Sequence, residues 1–93
     1  MIFAIDVGNT NIVIGCCEDG KILFRERIST NHTATSLEYA AMFKTAFEMN
    51  GVELKSITGA IISSVVPTVT HNVKAAAEKL TGARTLVVGP GIK

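Results

Sequence analysis

An α/β fold built on a mixed five-stranded sheet is what this sequence predicts, and three observations predict it. The apolar runs and amphipathic stretches come in the order β-β-β-α-β-α-β. Asp19-Gly20 joins the second and third runs with a strong two-residue hairpin signal. Two helical stretches, each with its own start and stop signals, separate the later strands, and a helical crossover makes the strands it joins parallel. Tight turns before and after the second strand make it antiparallel to the first and the third. Where both crossovers advance the same way across the sheet, right-handed connections place both helices on one face. A dinucleotide-binding fold would alternate strand and helix from the start, which this order does not.

The elements follow in order. Ile2 to Val7 is a short apolar run rich in β-formers and reads as a buried strand. Gly8-Asn9-Thr10 is turn-like, and Asn11 to Cys17 is the second strand. Lys21 to Ile28 is the third, with Ile22, Phe24, Glu26 and Ile28 on one face. Ser29 to Ala34 is polar and reads as a loop. Thr35-Ser36-Leu37-Glu38 is a capping box, in which Thr35 and Glu38 satisfy each other's free backbone donors. The helix it opens carries Ser36, Ala40, Phe43 and Phe47 on one stripe. Asn50-Gly51 ends it, since glycine tolerates the left-handed cap position. Gly59 to Val66 is the fourth strand, broken by Pro67. The second helix, Thr68 to Thr81, carries Val69, Val73, Ala76 and Leu80 on one stripe and stops at Gly82. Thr85 to Val88 is the fifth strand.

Length and composition bound the function. The 93 residues fit one small domain, and a hydrophobic share of 47% suffices for a packed core. A net charge of +1 with no basic patch gives no footprint for nucleic acid or an anionic membrane surface. No apolar stretch approaches the roughly 20 residues of a membrane span. The start, Met1-Ile2-Phe3-Ala4-Ile5-Asp6, has no basic region and meets a carboxylate at once, unlike a secretory signal. Cys16 and Cys17 are adjacent, so in a strand they point to opposite faces and do not bridge. They match no metal-ligand spacing with the two histidines, and read as reduced thiols of a cytoplasmic protein.

The chemistry concentrates in Asp6-Val7-Gly8-Asn9-Thr10-Asn11. A carboxylate ends a buried strand, and a tight turn then offers several backbone N–H groups. Gly8 allows close approach of a ligand to the backbone. Successive N–H groups in such a turn form an anion-binding concavity. The Thr10 hydroxyl and the Asn9 and Asn11 amides add donors for phosphate oxygens. Asp6 is suited to hold Mg²⁺ through its waters, since this ion dehydrates reluctantly and takes few carboxylates. On pattern alone two readings stand: a phosphate-binding turn, or an ordinary hairpin turn with Asp6 capping a loop. The two commonest nucleotide loops, GxxxxGK[ST] and GxGxxG, are absent.

Asp6-Val7-Gly8-Asn9-Thr10 resembles the first phosphate motif of the type III pantothenate kinases. Ile62-Ser63-Ser64-Val65-Val66-Pro67 resembles a second segment of that family, and Val87-Val88-Gly89-Pro90-Gly91-Ile92-Lys93 a third. The three occur in the family's order and spacing, and the resemblance runs over all 93 residues. It implies a ribonuclease H-like half of an actin-like ATPase domain, with strand order 3-2-1-4-5 and hence both helices on one face. It also implies phosphorylation of pantothenate by ATP, the first step of coenzyme A synthesis, with Mg²⁺ and a monovalent cation, K⁺ or NH₄⁺. The family's subunits have two domains and form homodimers. Asp6, Gly8, Asn9 and Thr10 take its phosphate and magnesium roles. Its GxDR segment, which supplies the catalytic aspartate, lies beyond Lys93, as do the cation ligand and the adenosine-binding motif. Residues 1–93 are then an N-terminal phosphate-binding domain that stops before its last helix and the second domain. The sheet face opposite the two helices is expected to be bare, and the fragment to self-associate through it.

Other residues carry less. His32, in the polar loop, and His71, in the first turn of a helix, read as solvated surface histidines. Ser63 and Ser64 end a buried strand near where ligands bind in such sheets. Either a hydroxyl faces the nucleotide cleft, or both bond to backbone around Pro67. Phe43 and Phe47 are helix core. Lys21, Arg25 and Arg27 read as a solvated edge that discourages aggregation. Two rival functions remain: a non-enzymatic transcriptional accessory factor similar to the same family, and a stand-alone phosphate-binding module.

Overall fold

Side-chain alternation along the strands decides which way the sheet faces. The computed structural model describes residues 1–89. Strands β1 (Ile2–Val7), β2 (Asn11–Glu18), β3 (Lys21–Ser29), β4 (Gly59–Ser64) and β5 (Arg84–Val88) form one sheet in the order β3-β2-β1-β4-β5. β1, β4 and β5 run parallel, and β2 is antiparallel to both β1 and β3. Order and directions are those expected from the sequence and its family resemblance. Between β3 and β4 lies α1 (Ser36–Met49), followed by a single 3₁₀ turn at Leu54–Ser56; between β4 and β5 lies α2 (Pro67–Thr81).

Phe3, Ile5 and Val7 of β1 point to one face and are buried, as are Ile12, Ile14 and Cys16 of β2 and Ala60 and Ile62 of β4. Both helices pack on that face. Tyr39, Ala40, Phe43, Ala46 and Phe47 of α1, and Val69, Val73, Ala76 and Ala77 of α2, are buried against it. Phe3 holds the centre, edge-on to Phe43 at 5.5 Å and to Phe47 at 4.9 Å, and Phe47 meets Phe24 edge-on at 5.1 Å. Such T-shaped pairs contribute about 0.5–1.5 kcal/mol beyond their buried area. The opposite face is open among the described residues: Ile2, Ile61 and Leu86 are 42%, 40% and 54% exposed.

The punctuation forms as its residues dictate. Asp19 and Gly20 both take positive φ, 51° and 76°, the geometry of a type I′ hairpin turn. The capping box is complete: Glu38 N–H donates to Thr35 Oγ1 at 3.2 Å and Thr35 N–H donates to Glu38 Oε1 at 2.9 Å. Gly51 and Gly82 follow their helices at φ 68° and 65°.

Two local expectations are corrected. β4 ends at Ser64, not Val66, because Ser64 Oγ accepts the Val66 N–H at 3.0 Å and turns the chain towards Pro67, the first residue of α2. Ile22 does not share a face with Phe24. Cys16 pairs with Phe24 but Cys17 pairs with Ile22, so a bulge takes up Leu23 and carries Ile22, 64% exposed, to the open face. A one-residue slip reverses every side chain beyond it.

Cys16 and Cys17 are free thiols, Cys16 in the core and Cys17 half-buried. Burial first, and then the neighbouring Cys17, push the Cys16 thiol from its ordinary 9.0 up to about 11. The folded state thus holds this proton more tightly than the unfolded chain. This stability is intact below pH 9.0 and is lost between pH 9.0 and about 11, as the unfolded-state thiol ionises first. Denaturant titrations across that window should show a steeper decline for the natural sequence than for Cys16→Ala. Equal slopes would show that Cys16 ionises as freely folded as unfolded.

Candidate phosphate-binding site

The parity that buries Phe3, Ile5 and Val7 brings Asp6 out on the open face, at the C-terminal end of β1. There Asp6 is exposed, flanked across the strands by Val13 of β2 and Ser63 of β4. Its carboxylate makes no hydrogen bond or ion pair among the described residues. It caps no loop, and, being exposed, it bears little of the desolvation cost that a carboxylate ending a buried strand would suggest.

The chain reverses directly after it. Gly8 N–H donates to Asn11 O at 2.9 Å, closing the turn between β1 and β2. The approach is tight enough that a Cβ at Gly8 would stand 3.0 Å from the Asn11 carbonyl oxygen. A side chain here would press on the backbone that closes the turn, so closure of the turn by itself favours glycine. Val7 buries its side chain and meets the turn through its backbone alone, with its carbonyl accepting Val65 N–H at 3.2 Å. Asn9, Thr10 and Asn11 are exposed. The N–H groups of Asn9 and Thr10 find no acceptor among the described residues. A carboxylate, two free amide donors and short polar side chains thus converge at one end of the sheet, an arrangement suited to phosphate oxygens and a hydrated cation.

The two serines separate. Ser63 is exposed beside Asp6, and its hydroxyl makes no hydrogen bond among the described residues. Ser64 faces the helices, is 5% exposed, accepts the Val66 N–H and takes the Thr70 hydroxyl at 2.6 Å. Local backbone bonding describes Ser64 but not Ser63. Of the third sequence segment, Pro90 to Lys93 lies outside the described residues. No cluster of three or more His, Cys, Asp or Glu side chains occurs among the described residues. Asp6 is then a lone carboxylate, which suits Mg²⁺ held mostly by water and substrate oxygens.

Sequence reasoning missed the contacts behind the turn. His32 is exposed, as expected, but its Nε2 lies 3.1 Å from Asn9 O. Thr30 Oγ1 donates to Gly8 O at 2.7 Å, and Thr30 N–H donates to Thr10 O at 2.9 Å. No local pattern announces these pairs, which lie some twenty residues apart in the chain.

Comparison with solved structures sets the class. A hexokinase of the ROK type from Thermus thermophilus superposes with a TM-score of 0.70 at 14% identity, over 95% of this chain and 34% of that one. A Bacteroides thetaiotaomicron protein described as having an actin-like ATPase fold superposes at 0.59 and 9% identity, over 91% of this chain and 31% of that one. At such identities the likeness shows the fold alone: that of actin-like ATPases and ROK sugar kinases.

The sequence narrows the class. The family model for type III pantothenate kinase matches residues 2–93. A type III pantothenate kinase of an Exiguobacterium species is 41% identical over 93 residues, covering all of this chain and 37% of the relative. One of Bacillus cytotoxicus is 43% identical over 93 residues, covering all of this chain and 36% of the relative. The chain belongs to the type III pantothenate kinase family, and it spans little more than a third of the length of these curated relatives. No helix among the described residues is long and apolar enough to cross a membrane.

Proposed function

We propose that the protein containing these residues phosphorylates pantothenate with ATP, giving 4′-phosphopantothenate in the first step of coenzyme A synthesis. The family match across residues 2–93 carries this reading, and the resemblance of Asp6-Val7-Gly8-Asn9-Thr10 to the family's first phosphate motif supports it. Residues 1–93 serve as its N-terminal phosphate-binding domain. The N–H groups of Asn9 and Thr10, the Thr10 hydroxyl and the Asn9 and Asn11 amides bind ATP phosphates, with Gly8 permitting the turn and Val7 contributing backbone. Asp6 orients the waters of Mg²⁺, and Ser63 stands beside it on the same face.

When bound, Mg²⁺ neutralises charge between the transferred and leaving phosphates. What this chain contributes is position: phosphoryl transfer depends mostly on alignment and charge stabilisation rather than on covalent help from the protein. The base that takes the pantothenate hydroxyl proton, the K⁺ or NH₄⁺ ligands and the adenosine pocket belong to segments beyond Lys93. A homodimer in the cytoplasm, without nucleic-acid or membrane partners, completes the reading. The kinase names of the matched relatives favour it over an accessory-factor role.

Coupled ADP release by the purified full-length protein is the test, with pantothenate, ATP, Mg²⁺ and K⁺ present. Turnover that requires pantothenate is expected. A protein that folds and binds ATP but releases no pantothenate-dependent ADP overturns the assignment.

A further inference from the structure

The hydrogen bonds of the Gly8–Thr10 turn are divided by type. Its three carbonyls all face the segment between β3 and α1, where Thr30 Oγ1 takes Gly8 O, Thr30 N–H takes Thr10 O and His32 Nε2 takes Asn9 O. A carbonyl has no proton to give, so Nε2 is the protonated ring nitrogen in this contact. A trans peptide is planar, with its C=O and the following N–H pointing in opposite directions. Holding Gly8 O and Asn9 O to the rear therefore turns the Asn9 and Thr10 N–H groups to the front.

The rear segment is itself fixed. Tyr39, fully buried, donates its hydroxyl proton to Asn31 O at 2.7 Å and accepts the Asn31 N–H at 3.1 Å. Asn31 Oδ1 accepts from both the N–H and the hydroxyl of Thr33. Ala34, buried, has its carbonyl bound by Asn72 Nδ2 of α2. The capping box of α1 follows at once. His32 thus projects from a braced segment, one end of which is tied to the helical layer through Tyr39.

We propose that His32 and Thr30 are positioning residues for nucleotide phosphate: His32 holds the Asn9–Thr10 peptide and the Thr30 hydroxyl holds the Gly8–Asn9 peptide, each with its N–H towards the ligand. The inference rests on the phosphate reading of the turn. Without this hold, the Asn9–Thr10 peptide is free to rotate, and the ligand must order it on binding. Removing one hydrogen bond of this kind is expected to weaken nucleotide binding about 3- to 10-fold. His32→Gln places an amide N–H donor where Nε2 stands and should restore most of the loss.

The experiment uses the full-length protein with His32→Ala, His32→Gln, Thr30→Val and Asp6→Asn. It reads ADP affinity by calorimetry, KM for ATP and for pantothenate, and NMR backbone order parameters at Asn9 and Thr10 without nucleotide. Expected are weaker ADP binding and a raised KM for ATP in His32→Ala. The KM for pantothenate should not change, the backbone order parameter at Thr10 should fall, and His32→Gln should recover. Thr30→Val, which frees Gly8 O, should likewise weaken ADP binding and raise the KM for ATP, with the local change at Asn9 rather than Thr10. Should His32→Ala bind ADP like the natural protein while Asp6→Asn loses activity, the positioning role is wrong and the phosphate reading stands. Should Asp6→Asn also leave activity and ADP binding untouched, the phosphate reading itself falls. A loss in His32→Ala that His32→Gln fails to restore, and that raises both KM values together, would mark a merely structural side chain and overturn the proposal.

Discussion

Asp6→Asn in the full-length protein should lower kcat for pantothenate phosphorylation by about 10²-fold or more, the usual cost of removing one preorganised charge at a reacting centre. The substitution keeps the shape of the side chain and removes only its charge. Because Asp6 is exposed and unpaired among the described residues, no fold-stabilising contact is lost. The melting temperature should therefore stay within a degree or two. The Mg²⁺ concentration needed for half-maximal rate should rise, since the hydrated ion loses its one carboxylate in this domain. Steady-state rates over a Mg²⁺ series, with a thermal melt on the same samples, separate the two effects. A variant that keeps natural kcat and natural Mg²⁺ dependence would remove Asp6 from the metal site. A variant that melts far lower would show that Asp6 has a structural partner.

A polypeptide of residues 1–93 by itself should self-associate in solution. Its two helices cover one face of the sheet and leave Ile2, Ile61, Leu86 and the bulge-displaced Ile22 exposed on the other. A patch on the order of 500 Å² stands at the upper end for a soluble monomer. At ~25 cal/mol per Å² its burial is worth about 12 kcal/mol. That rivals the entire ~5–15 kcal/mol stability of a small domain, so water contact over the patch is a heavy burden. Sedimentation velocity at tens of micromolar is expected to show dimers or larger species. Ile61→Lys and Leu86→Lys, singly, should shift the distribution towards monomer, because a charge at the centre of an apolar contact is not readily paired. A cooperatively folded monomer of the natural sequence at high micromolar concentration would show that the open face tolerates water.

Much of the fold is legible because its determinants are local. Thr35 and Glu38 are three residues apart and make the capping box in any helix they begin. Asp19-Gly20 takes its two positive φ angles wherever a two-residue hairpin forms. The alternation of Ile2, Ala4 and Asp6 with Phe3, Ile5 and Val7 already assigns opposite faces, and the identity of the buried set follows from the aromatic rings of α1. The Asp6–Asn11 turn was visible for the same reason, since its carboxylate, its glycine and its donors are consecutive in the chain.

The sequence by itself determined the element order, the antiparallel pairing of β2, the placement of both helices once the family's strand order is taken, and the Asp6–Asn11 turn. Each of these follows from residue type within a few positions, or from the handedness of short connections. Only the tertiary structure decided the bulge that moves Ile22 to the open face, because register is set by the fit of β3 against β2 over its whole length rather than by β3 alone. Only it separated Ser63, out beside Asp6, from Ser64, locked inward by Thr70 and Val66. And only it brought His32 to Asn9, since a contact across 23 residues leaves no trace in the local pattern of either segment: the fold closes the intervening loop, and geometry alone then pairs a ring nitrogen with a carbonyl.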